Sequence, residues 1–355
     1  MSQASGAGRR SDTSLASGLR AWGRAHFSDP EWEVVELVRP STGWANETVI
    51  VTVRSSSSSR APHRLVVRIP SLVPVFPDAN LVSQARVLEA VGGAVPVPQV
   101  LVVEADEQWI GAPFAVMSHV AGRPGPEVPA LDPWLLEASA PRQQDLHQAF
   151  VETLADVHAV DWRGGGLAGV LRGADGSLAD EVAWWAEYTG WATDGSPPSG
   201  LARAMDWCAT TVPGTEPQRA LCWGDVRLGN LLLDDHLEIR AVLDWELASI
   251  GPAEMDLGWY LALEAVVELL TGRRVPGFLE RSGVVAAYEE AAGRALVDLE
   301  WHELFALTRS VAISERLSVV AAQSGGEHPT PGGEANPVLR ELLRRVELFP
   351  SGAGG

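Results

Sequence analysis

The chain has 355 residues, more than a single hydrophobic core usually organises, so two lobes are expected. Hydrophobic residues make up 46% and charged residues 21%, which excludes wholesale disorder. The net charge of −19 disfavours nucleic acid and anionic membrane as partners, because each phosphate contact needs a cation.

All 27 basic residues are arginine, so chemistry that requires lysine has no residue to carry it. Cys208 and Cys222 form no disulfide framework and fit a reducing cytoplasm. The opening MSQASGAGRRSDTSLASG has no apolar signal segment and is expected to be a disordered tail over residues 1–18. The longest apolar run, WYLALEAVVELL (259–270), is too short for a membrane span and carries two glutamates.

In chain order, WEVVELVRP (32–40) alternates like a strand. STGWANETVIVTV (41–53) is a turn leading into a β-branched strand, and RLVVRIP (64–70) is another, with the serine-rich loop between them. Residues 80–92 place Leu81, Ala85 and Leu88 at helical spacing, with Asn80 as N-cap. VPVPQVLVVE (95–104) and PFAVMSHV (113–120) are two buried strands. GRPGPEVP (122–129) is a Pro/Gly break suited to a lobe boundary. Helices dominate beyond it, at 144–160, 254–271, 282–293, 299–320 and 337–349. Among them LCWGDVRLGNLLLDDHLEIRAVLDWE (221–246) is a β-hairpin island whose turn falls at Asp234-Asp235.

That island carries the chemistry. Mg²⁺ prefers hard oxygen ligands, and one carboxylate with one carboxamide from neighbouring loops can hold it beside substrate phosphates. Asn230 with one of the carboxylates Asp225 and Asp244 could supply those groups. The carboxylate not spent on metal could accept a proton from a hydroxyl nucleophile or orient it, and Arg227, two residues after Asp225, would face the transferring phosphoryl group. Asp225-x₄-Asn230 alone also describes a surface hairpin with cap and turn formers. The second acid, at the end of the apolar strand AVLDWE, moves the balance towards a site.

WGDVRLGN, VLDWE and GPAEMDLGWYLA together resemble the aminoglycoside phosphotransferase-like family, in the bacterial subgroup related to the kinase-like domain of certain acyl-CoA dehydrogenases. The resemblance runs from about residue 32 to about 320. It implies an α+β, two-lobed, protein-kinase-like fold. An antiparallel-sheet N-lobe with one helix (19–120) would bind nucleotide, and a mainly helical C-lobe (121–355) would carry the catalytic hairpin and bind the acceptor. It implies a small-molecule kinase transferring the ATP γ-phosphate to an acceptor hydroxyl, with GTP left open as donor. The alternative is a catalytically idle nucleotide-binding or scaffold protein.

By the same resemblance Asp225 is the base, Asn230 and Asp244 bind Mg²⁺, and Trp223 stands at a structural position. Asp256 either braces the catalytic loop through backbone N–H groups or caps a helix. Gly43, Asn46 and Thr48 lie near the nucleotide phosphates, Met117 shapes the adenine pocket, and Ser118 and Val120 bond the base edge. Kinase-like enzymes pair a strand lysine with a helix glutamate. Here the counterparts are Arg68 and Gln84, the latter facing inward with Leu81 and Leu88, whereas Glu89 points about 140° away. The Arg68 fork can grip phosphate, and Gln84 can orient it through a hydrogen bond weaker by about 1 kcal/mol than an ion pair. The aromatic stretch around Trp184, Tyr188 and Trp191 lines an acceptor or, more simply, packs two helices. No pairing of His119, His147 or His158 indicates a metal site.

Overall fold

The structure is a computed structural model and describes residues 10–40, 46–56, 62–77, 80–215, 217–323 and 330–349. It divides into two compact units. The first comprises Met1–Glu89, Pro98–His119 and Leu317–His328, and the second Ala90–Val97, Val120–Arg316 and Pro329–Gly355.

In the first unit, α1 (Asp12–His26) precedes β1 (Glu33–Val38), β2 (Asn46–Arg54), β3 (His63–Pro70), α2 (Leu81–Val91), β4 (Val100–Glu104) and β5 (Phe114–Ser118). The strands form an antiparallel sheet in the order β1-β2-β3-β5-β4. Period-two alternation turns Val49, Val51 and Val53 of β2, with Val67 and Ile69 of β3, into the core.

Helix α1 corrects the expected tail: residues 12–18 are helical, not disordered. Ser11 caps it by accepting from the Ser14 N–H, and Leu15, Leu19 and Trp22 form one apolar stripe sealed against Trp32, Val34 and Phe114. Burying three such side chains contributes about 1.5–3 kcal/mol each, enough to outweigh a poor local propensity. The glycines that lower that propensity are packing residues. A Cβ at Gly23 would stand 2.4 Å from the Trp32 ring, and one at Gly18 would stand 2.0 Å from the Trp109 carbonyl oxygen. The Trp22 indole donates to Glu104, fixing the helix to β4 (3.0 Å).

The second unit continues through β6 (Arg123–Pro124), α3 (Pro133–Glu137), α4 (Ala140–His158), α5 (Leu178–Ala192), α6 (Ser199–Thr210) and β7 (Arg219–Cys222). It goes on to β8 (Leu231–Leu233), β9 (Ile239–Val242), β10 (Ser249–Pro252), α7 (Glu254–Thr271), α8 (Arg281–Ala292), α9 (Leu299–Gln323, whose residues from Leu317 onward belong to the first unit) and α10 (Pro337–Leu348). Two small antiparallel sheets, β10-β7 and β6-β8-β9, sit among the helices and hold the loops on either side of the hairpin. Asp234 closes the hairpin turn by accepting from the His236 and Glu238 N–H groups. Helix α7 is buried over most of its length, Met255 to Ala262 included. Among the described residues no helix is long and apolar enough to cross a membrane.

One buried contact sets an acid limit on the fold. His147 of α4 accepts from the Leu279 N–H at Nδ1 (2.8 Å), so the ring must be neutral, and Nε2 bonds the Tyr260 hydroxyl (2.5 Å). Burial, reinforced by Arg274, holds its pKa down at about 4 rather than 6.5. The unfolded chain therefore takes a proton that the folded one refuses. The contribution is whole above about pH 6.5 and is lost as pH falls towards about 4, by an amount on the order of 3 kcal/mol. A His147→Gln variant should melt with a shallower acid dependence over that window. An unchanged slope would remove this residue as the cause.

Candidate active site

Strand β7 delivers the chain to Trp223, and the loop 223–230 turns back into β8. Gly224 has φ +93°, and a Cβ there would stand 2.4 Å from the Leu247 carbonyl oxygen, so only glycine lets the loop pass. Two backbone donors at this bend are held by one carboxylate. Asp256, fully buried in the first turn of α7, accepts from the Trp223 N–H (2.6 Å) and the Gly224 N–H (3.0 Å). It is the loop brace rather than a helix cap, and His158 Nε2 stands 3.1 Å behind it.

Asp225, at the crest, accepts three hydrogen bonds. Oδ2 takes Arg227 Nε (2.9 Å) and Asn230 Nδ2 (2.8 Å), and Oδ1 takes the Trp259 indole N–H (3.2 Å). Asn230 Nδ2 also bonds the Asp225 carbonyl (2.9 Å), so the carboxamide donors are turned onto the loop. Arg227 forms a second ion pair with Glu127. Burial works against the Arg227 charge, but Asp225, Glu127 and Asp244 outweigh it and push the pKa above its ordinary value.

Asp244 follows β9 with φ +61°, a left-handed conformation uncommon outside glycine and costing on the order of 1 kcal/mol or more. The neighbours over-determine it. The Trp223 indole donates to the Leu243 carbonyl (2.8 Å), the Leu243 N–H to the Asn230 carbonyl (2.8 Å) and the Trp245 indole to the Val242 carbonyl (3.2 Å). Trp223 is thus structural, as its position implied.

Asp225, Arg227, Asn230 and Asp244 therefore come together in one loop system of the second unit, and the sequence reading missed two partners. Trp259 stands in the sequence only as the start of the apolar run 259–270, and Glu127 only as part of a Pro/Gly break; both reach the loop from distant positions. The sequence spacing around 225–230 gives no signal for either.

The nucleotide-end residues fall mostly in the first unit. Arg68 and Thr48 face each other across β3 and β2, and Arg68 Nη1 donates to Thr48 Oγ1 (3.3 Å). Asn46 opens β2 and is buried, whereas Gly43 lies outside the described residues. Gln84 is half-buried on α2 and Glu89 exposed. Met117 and Ser118 end β5, with the Ser118 N–H bonded to the Gln99 carbonyl (2.8 Å), and Val120 follows at the start of the second unit.

On α5, Trp185 and Tyr188 are buried, and Trp184 stacks on Tyr188 at 5.8 Å, so the aromatic stripe is mainly packing. Its ends are capped by cations, Arg172 over Trp184 and Arg316 over Trp191, each 4.2 Å from the ring centroid. His158 does stand with Cys222 and Asp256, their ligand atoms within 4.8 Å. Burial pushes the Cys222 thiol well up, Asp256 is spent on the loop and His158 Nδ1 bonds the Tyr288 hydroxyl (2.6 Å), so the cluster is a brace.

Residues 36–303 match the phosphotransferase enzyme family across most of the chain. The chain belongs to the phosphotransferase enzyme family. It is 34% identical over 189 residues to acyl-CoA dehydrogenase family member 11 of Gallus gallus, covering 52% of this chain and 23% of that protein. The chain spans 20% to 39% of the length of the first relatives it matches. Among solved structures, a candidate aminoglycoside phosphotransferase from Ralstonia eutropha superposes with TM-score 0.69 at 20% identity, covering 93% of this chain and 98% of that one. A thermostable mutant of the aminoglycoside phosphotransferase APH(4)-Ia, in ternary complex with AMP-PNP and hygromycin B, superposes with TM-score 0.57 at 16% identity, covering 93% and 98%. These likenesses carry the fold, an antiparallel-sheet lobe followed by a mainly helical one.

In this phosphotransferase, Trp259 gives a direct test of the loop. Trp259→Phe keeps a ring under Arg309, whose guanidinium lies 5.0 Å from the Trp259 centroid, and deletes only the donor to Asp225. Losing a hydrogen bond to a charged group should slow transfer by roughly tenfold to a hundredfold with little change in melting temperature. Wild-type turnover in the variant would count against Trp259 as the orienter of Asp225.

Proposed function

We propose that this phosphotransferase is a Mg²⁺-dependent small-molecule kinase that transfers the γ-phosphate of ATP to a hydroxyl of an antibiotic or metabolite. The observation that carries the reading is the Asp225 carboxylate, fixed by three donors beside Asn230, Asp244 and a guanidinium. Asp225 receives or orients the acceptor hydroxyl proton, and Arg227 meets the charge of the moving phosphoryl group.

The donor set fits Mg²⁺. With both Asn230 donor bonds turned onto Asp225, its carboxamide oxygen is the atom left for a cation, and Asp244 adds a hard carboxylate. Three carboxylates acting on the single Arg227 leave a local excess of negative charge that a divalent cation would balance. When bound, Mg²⁺ would neutralise phosphate charge, and the chain's part is to hold these oxygens still. At the nucleotide end, Asn46, Thr48, Arg68 and Gln84 are assigned to the phosphates, as the resemblance also assigns Gly43, and Met117, Ser118 and Val120 to the base. One structural neighbour is a complex with AMP-PNP and another a complex with GDP, so GTP stays open as a donor beside ATP. The two buried free thiols suit the cytoplasm.

A second reading, an idle nucleotide binder, is favoured by one observation: Arg68 and Gln84 stand where a lysine and glutamate are usual, and Arg68 bonds Thr48. The deciding experiment follows label from γ-labelled ATP or GTP into a library of hydroxyl-bearing antibiotics and metabolites, with and without EDTA. Metal-dependent transfer from ATP is expected. A nucleotide-induced melting shift with no transfer to any acceptor would favour the idle reading.

A further inference from the structure

We propose that Glu127 is a positioning residue for phosphoryl transfer, clamping the Arg227 guanidinium between itself and Asp225; this rests on the kinase reading above. The segment that carries Glu127 is built as a strap on the catalytic loop. Arg123 is anchored by Asp132 (3.5 Å) and stacks over Trp134 at 4.3 Å. Arg123 and Pro124 pair with Leu233 and Leu232 of β8, and the Gly125 N–H bonds the Leu231 carbonyl (2.9 Å). Pro124, Pro126 and Pro129 fix φ on both sides, so Glu127 arrives with little freedom to lose.

Two glycines make the fit. A Cβ at Gly125 would stand 2.0 Å from the Leu228 carbonyl oxygen, so any other residue would lift the strap off the loop. A Cβ at Gly229 would stand 3.2 Å from the Glu127 carboxyl and 3.1 Å from Arg227 Nη1, in the space that the ion pair needs.

The clamp has two jaws. Arg227 Nε goes to Asp225 Oδ2 at 2.9 Å, and Nη1 goes to Glu127. Asp225 alone leaves the far end of the guanidinium free to swing about its Nε contact. The Glu127 side chain is 50% exposed and that of Arg227 33%, and an exposed pair of this kind stabilises a fold little. Its effect is on direction, where a displacement of about 1 Å costs catalysis far more than stability.

The test uses the full chain with Mg·ATP and water as acceptor, measuring phosphate release together with nucleotide KM and melting temperature. E127Q should lower kcat about tenfold, leave nucleotide KM within about twofold and melt like the wild type. E127D should recover part of the rate, and increasing salt should slow the wild type more than E127Q. In an R227Q background, E127Q should add nothing, because the group it positions is gone. Wild-type turnover by E127Q, or a defect fully additive with R227Q, would overturn the clamp while leaving the kinase reading standing. Where the wild type releases no phosphate to water, the same variants are read on an acceptor found in the library above; no transfer from the wild type to water or to any library acceptor would overturn both together.

Discussion

Asp225→Asn should cut phosphoryl transfer by about three orders of magnitude while the fold and nucleotide affinity remain. A carboxamide matches the carboxylate in shape but has one acceptor oxygen. Placed to keep the bonds from Arg227 Nε and Asn230 Nδ2, it would turn its NH₂ group against the Trp259 indole N–H, donor facing donor. It also cannot take the acceptor's proton. The residues assigned to the nucleotide phosphates and base belong mostly to the other unit, so nucleotide Kd should stay within about threefold. Single-turnover transfer and a nucleotide titration on the same preparation separate the two effects. Turnover within about tenfold of wild type would remove Asp225 from the chemistry.

The residues of this site were legible where local rules fix them. Asp225 and Asn230 stand five apart in one loop, and Asp244 ends an apolar strand. Their supports were not, because they come from elsewhere in the chain: Trp259 is 34 positions from Asp225 and Glu127 100 from Arg227. Tertiary packing alone sets such pairs. Asp256 was half-legible, since an acid in the first turn of a helix reads equally well as a cap, and only the bonds to Trp223 and Gly224 decide between the two. Helix α1 shows the opposite failure. Its stripe of Leu15, Leu19 and Trp22 was present in the sequence, but Gly18, Gly23 and a serine-rich start masked it, since those glycines serve close approach to Trp109 and Trp32.

Asp256→Ala should be the most destabilising single change near the site. The carboxylate is wholly buried and satisfies the Trp223 and Gly224 N–H groups, with His158 Nε2 at 3.1 Å. Alanine would leave these groups without acceptors in a place closed to solvent, where each costs about 1–3 kcal/mol. The sum, about 3–5 kcal/mol, is a large part of the stability of a typical domain and should lower the melting temperature by on the order of 10 °C. The loss should not be confined to stability. Gly224 directly precedes Asp225, so a freed backbone at the bend displaces the carboxylate from Trp259 and Asn230. Transfer should therefore fall even in the fraction that remains folded. Asp256→Asn separates the two consequences, because one carboxamide oxygen can still accept from the Trp223 or Gly224 N–H but not serve both as the carboxylate does. It should lie between wild type and alanine in melting temperature, and nearer to alanine in transfer rate. If the alanine variant melted within about 1 kcal/mol of wild type, water would have to reach the bend. Asp256 would then be one acceptor among others rather than the brace on which the loop is built.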